Sequence, residues 1–133
     1  MVRMSTSVSL STFPPVAFVT VRDPERTKTF YRDILGLTLL SEELPFALVF
    51  DINGVMLRVS IDPNMVTVER TVLGWRVQDI DETVRSLTAA GAPFQHYSFM
   101  QQDELGIWNS PSGARVAWFK DPDGNVLSLT QHL

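Results

Sequence analysis

The stretch Val21-Arg22-Asp23-Pro24-Glu25-Arg26, running on through Phe30-Tyr31-Arg32-Asp33-Ile34-Leu35-Gly36-Leu37, decides how this sequence folds. The apolar run Val16 to Val21 leading into it predicts a strand. Asp23 is then placed to cap a helix that Pro24 opens. A short carboxylate accepts from the free N–H groups of a first turn, and proline has no N–H to leave unsatisfied there. Phe30, Ile34 and Leu37 recur at near-helical spacing, and Gly36 supplies the left-handed residue that ends a helix.

The same pattern returns in the second half of the chain. Leu73 to Val77 predicts a strand, Asp79 the cap, and Glu82 follows three residues later as in a capping box. Ile80, Val84 and Leu87 form the buried stripe, and Gly91 ends the helix. Three apolar or alternating segments follow each helix: Leu37 to Leu40, Ala47 to Asp51 and Val55 to Ile61, then Phe94 to Phe99, Arg115 to Phe119 and Val126 to Thr130. Asn53-Gly54 and Asp123-Gly124 mark tight turns before the last strand of each half.

The expected fold is therefore α+β. Two βαβββ modules, about residues 16–62 and 71–133, build an incompletely closed, eight-stranded, barrel-like sheet with helices on the convex side and a concave face free for a ligand. No linker separates the modules, so residues 16–133 read as one domain. Residues 1–15, rich in Ser and Thr, read as an arm that is either mobile or a dimer contact.

Composition narrows the function. With 133 residues, 44% hydrophobic and 20% charged, one domain can bury roughly two-thirds of its unfolded surface. The absence of cysteine excludes disulfides, thiol nucleophiles and thiolate metal sites, and is compatible with a cytoplasmic setting. A formal net charge of -4 with no basic run argues against nucleic acid, whose phosphates select clustered Lys and Arg. No apolar stretch approaches the roughly 20 residues that span a bilayer, and Met1 to Pro15 has too weak an apolar centre for a secretory signal.

The first-module stretch, together with Val77-Gln78-Asp79-Ile80-Asp81 and the closing turn Phe119-Lys120-Asp121-Pro122-Asp123-Gly124-Asn125, resembles the vicinal oxygen chelate superfamily, the glyoxalase/bleomycin resistance protein/dioxygenase group. The likeness runs over roughly residues 16 to 131 and rests on three motifs in the right order. Taken singly, each motif is helix packing, capping or a turn. They specify a fold rather than a chemistry.

What the resemblance implies for metal binding can be read position by position. Metal-using members hold a divalent cation with His, Glu or Gln side chains, commonly a His seven residues before each module's Asp and a carboxylate in each closing strand. Here those places are Val16, Val72 and Ser128, and aligning Gly54 with Gly124 makes the fourth Arg58. Valine has no lone pair and arginine adds a repelling charge, so no metal site, cofactor or metal-based catalytic residue is expected. A slip of one residue brings up Ala17, Leu73, Leu127 or Leu129, which do no better. His96 with Glu42, Glu43, Asp51 or Glu104 is the remaining possibility, and nothing in their spacing marks a site.

Strand alternation then assigns the cavity. With Val16 on the concave face, Phe18 and Thr20 join it, and Met56, Arg58 and Ser60 lie beside them. Val72, Gly74 and Arg76 face the same way, as do Val116, Trp118, Ser128 and Thr130. The expected ligand-binding set is Phe18, Thr20, Met56, Arg58, Arg76, Trp118, Ser128 and Thr130: an apolar, aromatic bowl with two arginines, suited to a planar molecule carrying an anionic group. The arginines can equally pair with Asp51, Glu42 or a partner subunit, and Trp118 can simply fill space.

His96 beside Tyr97 is either an acid/base pair or a structural histidine. Trp108, in the polar segment Gln101 to Pro111, either closes a loop over the pocket or anchors that loop. The function expected is metal-independent binding of an aromatic or amphipathic small molecule by a homodimer, as the resemblance to bleomycin-resistance proteins implies. The alternative is a glyoxalase-like lyase, isomerase, dioxygenase or antibiotic-modifying enzyme.

Overall fold

In a computed structural model the described residues are 7–132; residues 1–6 of the expected arm, and Leu133, lie outside them. The elements run β1 (Val16–Val21), α1 (Pro24–Lys28), β2 (Thr38–Glu43), β3 (Ala47–Ile52), β4 (Val55–Ile61), β5 (Thr71–Arg76), α2 (Ile80–Ala90), β6 (Trp108–Asn109), β7 (Arg115–Lys120) and β8 (Val126–Gln131). Both caps form as their chemistry requires. The Asp23 carboxylate accepts from the N–H groups of Glu25 and Arg26, and that of Asp79 accepts from Glu82 N–H. Gly91 closes α2 at φ +112°, where a side chain would be strained.

The first helix departs from the regular form. After Lys28 its turns widen over Thr29–Ile34 into five-residue spacing, so that Leu35 N–H donates to Phe30 O at 2.9 Å. Phe30 and Tyr31, at the centre of this widened segment, are both buried. Such turns add a residue to the helical cycle and rotate the side chains that follow.

The strands form two four-stranded sheets, ordered β1-β4-β3-β2 and β5-β8-β7-β6, with no ladder joining one to the other among the described residues. In each, the first strand runs parallel to the last and the remaining pairs are antiparallel. The duplication read from the sequence is therefore a duplication of topology, and the incompletely closed α+β architecture is present.

The first helical segment touches both sheets, and α2 packs on β7 and β8. Tyr31 packs on Phe50 of β3 at 5.9 Å between ring centroids. Its neighbour Phe30 meets Phe119 of β7 at 6.4 Å. Alternate residues of both sheets (Val19, Leu48, Phe50, Leu57, Val59, Ala117, Phe119, Leu127 and Leu129) join Ile80 and Val84 of α2 in one continuous core. Each buried Val, Leu, Ile or Phe among them contributes about 1.5–3 kcal/mol against exposure. On the opposite faces the side chains of β1 and β4 are exposed or half-buried, whereas Ala47, Val49 and Ser128 are buried there too.

One strand lies elsewhere than expected. Phe94 to Phe99 is not a strand: Phe94 makes a single bridge to Phe119 and the chain then leaves the sheet. The edge strand is instead the two-residue Trp108–Asn109, inside the segment read as a loop. Polar side chains take over the backbone bonding in between. Gln102 accepts from Tyr97 N–H and donates to the carbonyls of Gln95 and Gly106, while Asp103 accepts from the N–H groups of Leu105 and Ile107. These local bonds satisfy groups that a ladder would otherwise pair.

Candidate functional site

The outward faces carry the residues that alternation assigned to them. In the parallel pair β1 and β4, Val16 lies beside Met56, Phe18 beside Arg58 and Thr20 beside Ser60. On the second sheet Gly74 neighbours Ser128, Arg76 neighbours Thr130 and Trp118 neighbours Ser128. The helix-side partners Val19, Leu57, Leu127 and Leu129 are buried, whereas Phe18 is 62% exposed. Val16 and Met56 beside it are exposed as well, at 45% and 43%.

The second sheet's outward face bears an aromatic wall. Tyr97 stands edge-on to Trp118 with centroids 5.9 Å apart, Phe99 lies 5.4 Å from Tyr97, and Trp108 lies 6.1 Å from Trp118. Tyr97, Phe99, Met100 and Trp118 line a cavity of about 270 Å³ with Glu69, Arg70, Thr71 and Val126. Phe99, at 78% exposure, forms its outer lip. Trp108 is a strand residue paired with Val116, and its ring packs against Trp118, which ties its segment to the sheet.

Burial pushes the Tyr97 phenol above its usual range, and the Glu69 carboxylate adds to that shift. At neutral pH it is a hydrogen-bond donor, not a base. Glu69 itself pairs with Lys120 at 3.7 Å. Among the described residues Arg70 has no carboxylate partner, which leaves a cation at the rim for an anionic group.

On the first sheet's outward face Arg58 is engaged: its Nη1 donates to Glu43 Oε1 at 2.8 Å. The alternative of an internal pair is realised, with Glu43 rather than Asp51 or Glu42. Phe18 and Thr20 line a second cavity of about 190 Å³ with Met65 to Val68, Val72 and Asn125. On the second sheet a Cβ at Gly74 would sit 2.8 Å from Ser128 Oγ, so that hydroxyl would have to turn aside.

The four places at which the superfamily's resemblance puts a cation do not fit one. Val16 and Val72 offer no donor atom, Arg58 is a cation already paired, and Ser128 offers a neutral hydroxyl. His96 gains no carboxylates either: among the described residues no three of His, Asp and Glu lie close enough together to hold an ion. His96 is exposed and sits against Gly106, outside the aromatic cavity.

Within one chain, the eight expected binding residues do not line a single bowl. Phe18 and Thr20 share one cavity, Trp118 lines another, and Arg76, the last residue of β5, lines a crevice on the helix side. Met56, Arg58, Ser128 and Thr130 lie on the outward faces but line none of these three. Sequence reasoning missed Arg70, Phe99 and Met100, and placed Tyr97 only as a catalytic candidate. The signal available was the density of aromatic residues from Phe94 to Phe99.

The sequence model of the glyoxalase/bleomycin resistance protein/dioxygenase superfamily matches residues 12–129. No curated protein matches the chain. Among solved structures, a genomically encoded fosfomycin resistance protein from Listeria monocytogenes superposes with a TM-score of 0.69 at 16% identity, covering 90% of this chain and 92% of that one. TioX from Micromonospora sp. ML1 gives 0.65 at 23%, covering 90% and 98%. A lactoylglutathione lyase from Agrobacterium tumefaciens gives 0.65 at 17%, covering 88% and 92%. At such identities these likenesses speak for the fold alone.

Proposed function

The chain belongs to the glyoxalase/bleomycin resistance protein/dioxygenase superfamily, and from that premise we propose that it is a metal-independent binding protein for a small aromatic or amphipathic molecule. The observation that carries this reading is the aromatic cavity of Tyr97, Phe99, Met100 and Trp118 on the outward face of the second sheet. Offset and edge-on aromatic contacts give such a wall affinity for a planar ring, and Arg70 at its rim favours a ligand with an anionic group. Valines at two of the superfamily's four ligand positions remove the usual means of polarising a substrate.

The working form we propose is a homodimer. Each outward face is half of a cup, and the first face, with Val16, Phe18 and Met56 exposed, is too apolar to be left in water. A two-fold association sets the first sheet of one copy against the second sheet of its partner. This encloses the ligand between Phe18 and Arg58 of one chain and the aromatic wall of the other. The cytoplasm is the proposed setting, and the lack of cysteine suits it.

Two measurements on the purified protein test the reading. Elemental analysis without chelator should find divalent metal well below one per chain. A thermal-shift screen of aromatic acids, glycopeptide antibiotics and thioesters should raise the midpoint for at least one planar compound, since a ligand that binds only the folded state stabilises it. Stoichiometric metal, or a screen in which only apolar non-aromatic compounds act, contradicts the proposal.

A further inference from the structure

We propose that the crevice on the helix side, at the seam between the two modules, is a second small-molecule site that takes a monocyclic aromatic carboxylate. It shares no residue with the aromatic cavity and stands whether or not that cavity binds a ligand, with Arg76, exposed at the end of β5, at its mouth. Leu35 and Leu37 from the end of the first helical segment form one side, and Thr83 and Leu87 of α2 another. Trp75 and Phe119 contribute aromatic surface, and Arg76 is the one charged residue in the lining.

Size, lining and charge each point to this ligand class. The crevice holds about 190 Å³, more than the roughly 150 Å³ of a leucine- and phenylalanine-lined cavity that admits benzene. The excess leaves room for one small substituent. Trp75 and Phe119 lie 6.2 Å apart with their planes only 26° from parallel, an aromatic pair that an added ring can extend.

The polar groups nearby are already committed, except one. Thr83 Oγ1 donates to Asp79 O at 2.7 Å, and Val77 N–H donates to Thr130 O. Arg22, Arg26, Arg32, Arg58 and Arg115 all sit in ion pairs. Among the described residues Arg76 has no such partner, although it borders an apolar crevice. Its planar fork matches a carboxylate, and burial of the ring beside it strengthens that pair.

The three tryptophans separate this site from the outward face, because Trp75 lies in the crevice while Trp108 and Trp118 belong to the aromatic wall. The experiment follows the indole N–H signals of the 15N-labelled full chain during titration with benzoate and, separately, with uncharged benzamide. Benzoate is expected to shift the Trp75 signal saturably and ahead of the other two, and to bind about tenfold more tightly than benzamide, the factor that a charge-assisted hydrogen bond supplies. Arg76→Gln should remove that preference and leave benzamide binding unchanged within about twofold.

No Trp75 response, a response that appears first at Trp108 or Trp118, or a benzoate preference that survives Arg76→Gln overturns the proposal. Failure at Trp75 alone leaves the outward-face reading standing, because its own two indoles report on it independently.

Discussion

The Tyr31 hydroxyl donates to Asp121 Oδ2 at 2.6 Å, a buried hydrogen bond that ties the widened turns of the first helix to the β7–β8 turn of the second module. Asp121 also accepts from Asn125 Nδ2 and from the N–H groups of Asp123 and Asn125. Beside it the buried Asp123 carboxylate meets Arg22 and Arg26, and Asn125 Nδ2 reaches Thr20 O. The two halves are thus held together by a satisfied polar network as well as by the core.

Removing the hydroxyl leaves Asp121 short of one donor. Tyr31→Phe should lower the unfolding free energy by about 1–3 kcal/mol with the fold retained, as measured by denaturant titration. Burial first, and then the Asp121 charge, hold the phenol far above its ordinary range. A proton bound more tightly in the folded state gives stability that is complete below about pH 10 and is lost as pH rises beyond it. The wild-type midpoint should therefore fall more steeply above about pH 10 than that of Tyr31→Phe. Parallel alkaline slopes would contradict this account.

Phe99 stands at the lip of the aromatic cavity and is mostly exposed, so its removal separates binding from stability. Phe99→Ala should weaken a planar aromatic ligand by up to about tenfold, the scale of one aromatic contact, while the thermal midpoint stays unchanged. Calorimetric titration with any compound found by thermal shift checks it.

Gly74 meets Ser128 across the β5–β8 ladder, where an added Cβ would sit 2.8 Å from the serine hydroxyl. Gly74→Val should destabilise by about 1–3 kcal/mol. Ser128→Gly in the same chain should recover part of that loss. The coupling is read from a double-mutant cycle, and additive effects would place the clash elsewhere.

Phe18, exposed on the first sheet's outward face, is the clearest probe of self-association. Phe18→Asp should convert a dimer to a folded monomer in sedimentation, with far-ultraviolet dichroism unchanged. A wild-type chain that already sediments as a monomer would sink the shared-cup arrangement.

Much of this architecture is legible in the sequence because it is local. The bounds and the two faces of β1 and β4 follow from apolar alternation, and the caps at Asp23 and Asp79 from carboxylate chemistry. The edge strand at Trp108 is not legible, because two residues carry no periodicity and the flanking Gln102 and Asp103 look like loop. Nor is the scattering of the eight expected residues. Alternation says which way Arg76 and Trp118 start from their strands, but their separation depends on how the sheets pack through Phe30 and Tyr31.

The central claim, that this superfamily member binds an aromatic ligand without a metal, is tested most directly by titrating the chelator-treated protein with 8-anilinonaphthalene-1-sulfonate. Tryptophan emission is followed with and without added Zn²⁺, Mn²⁺ or Ni²⁺. The account predicts saturable quenching with the same midpoint in every case, lost in Trp118→Ala. Quenching that appears only once a divalent ion is supplied, or that persists undiminished without Trp118, would contradict it.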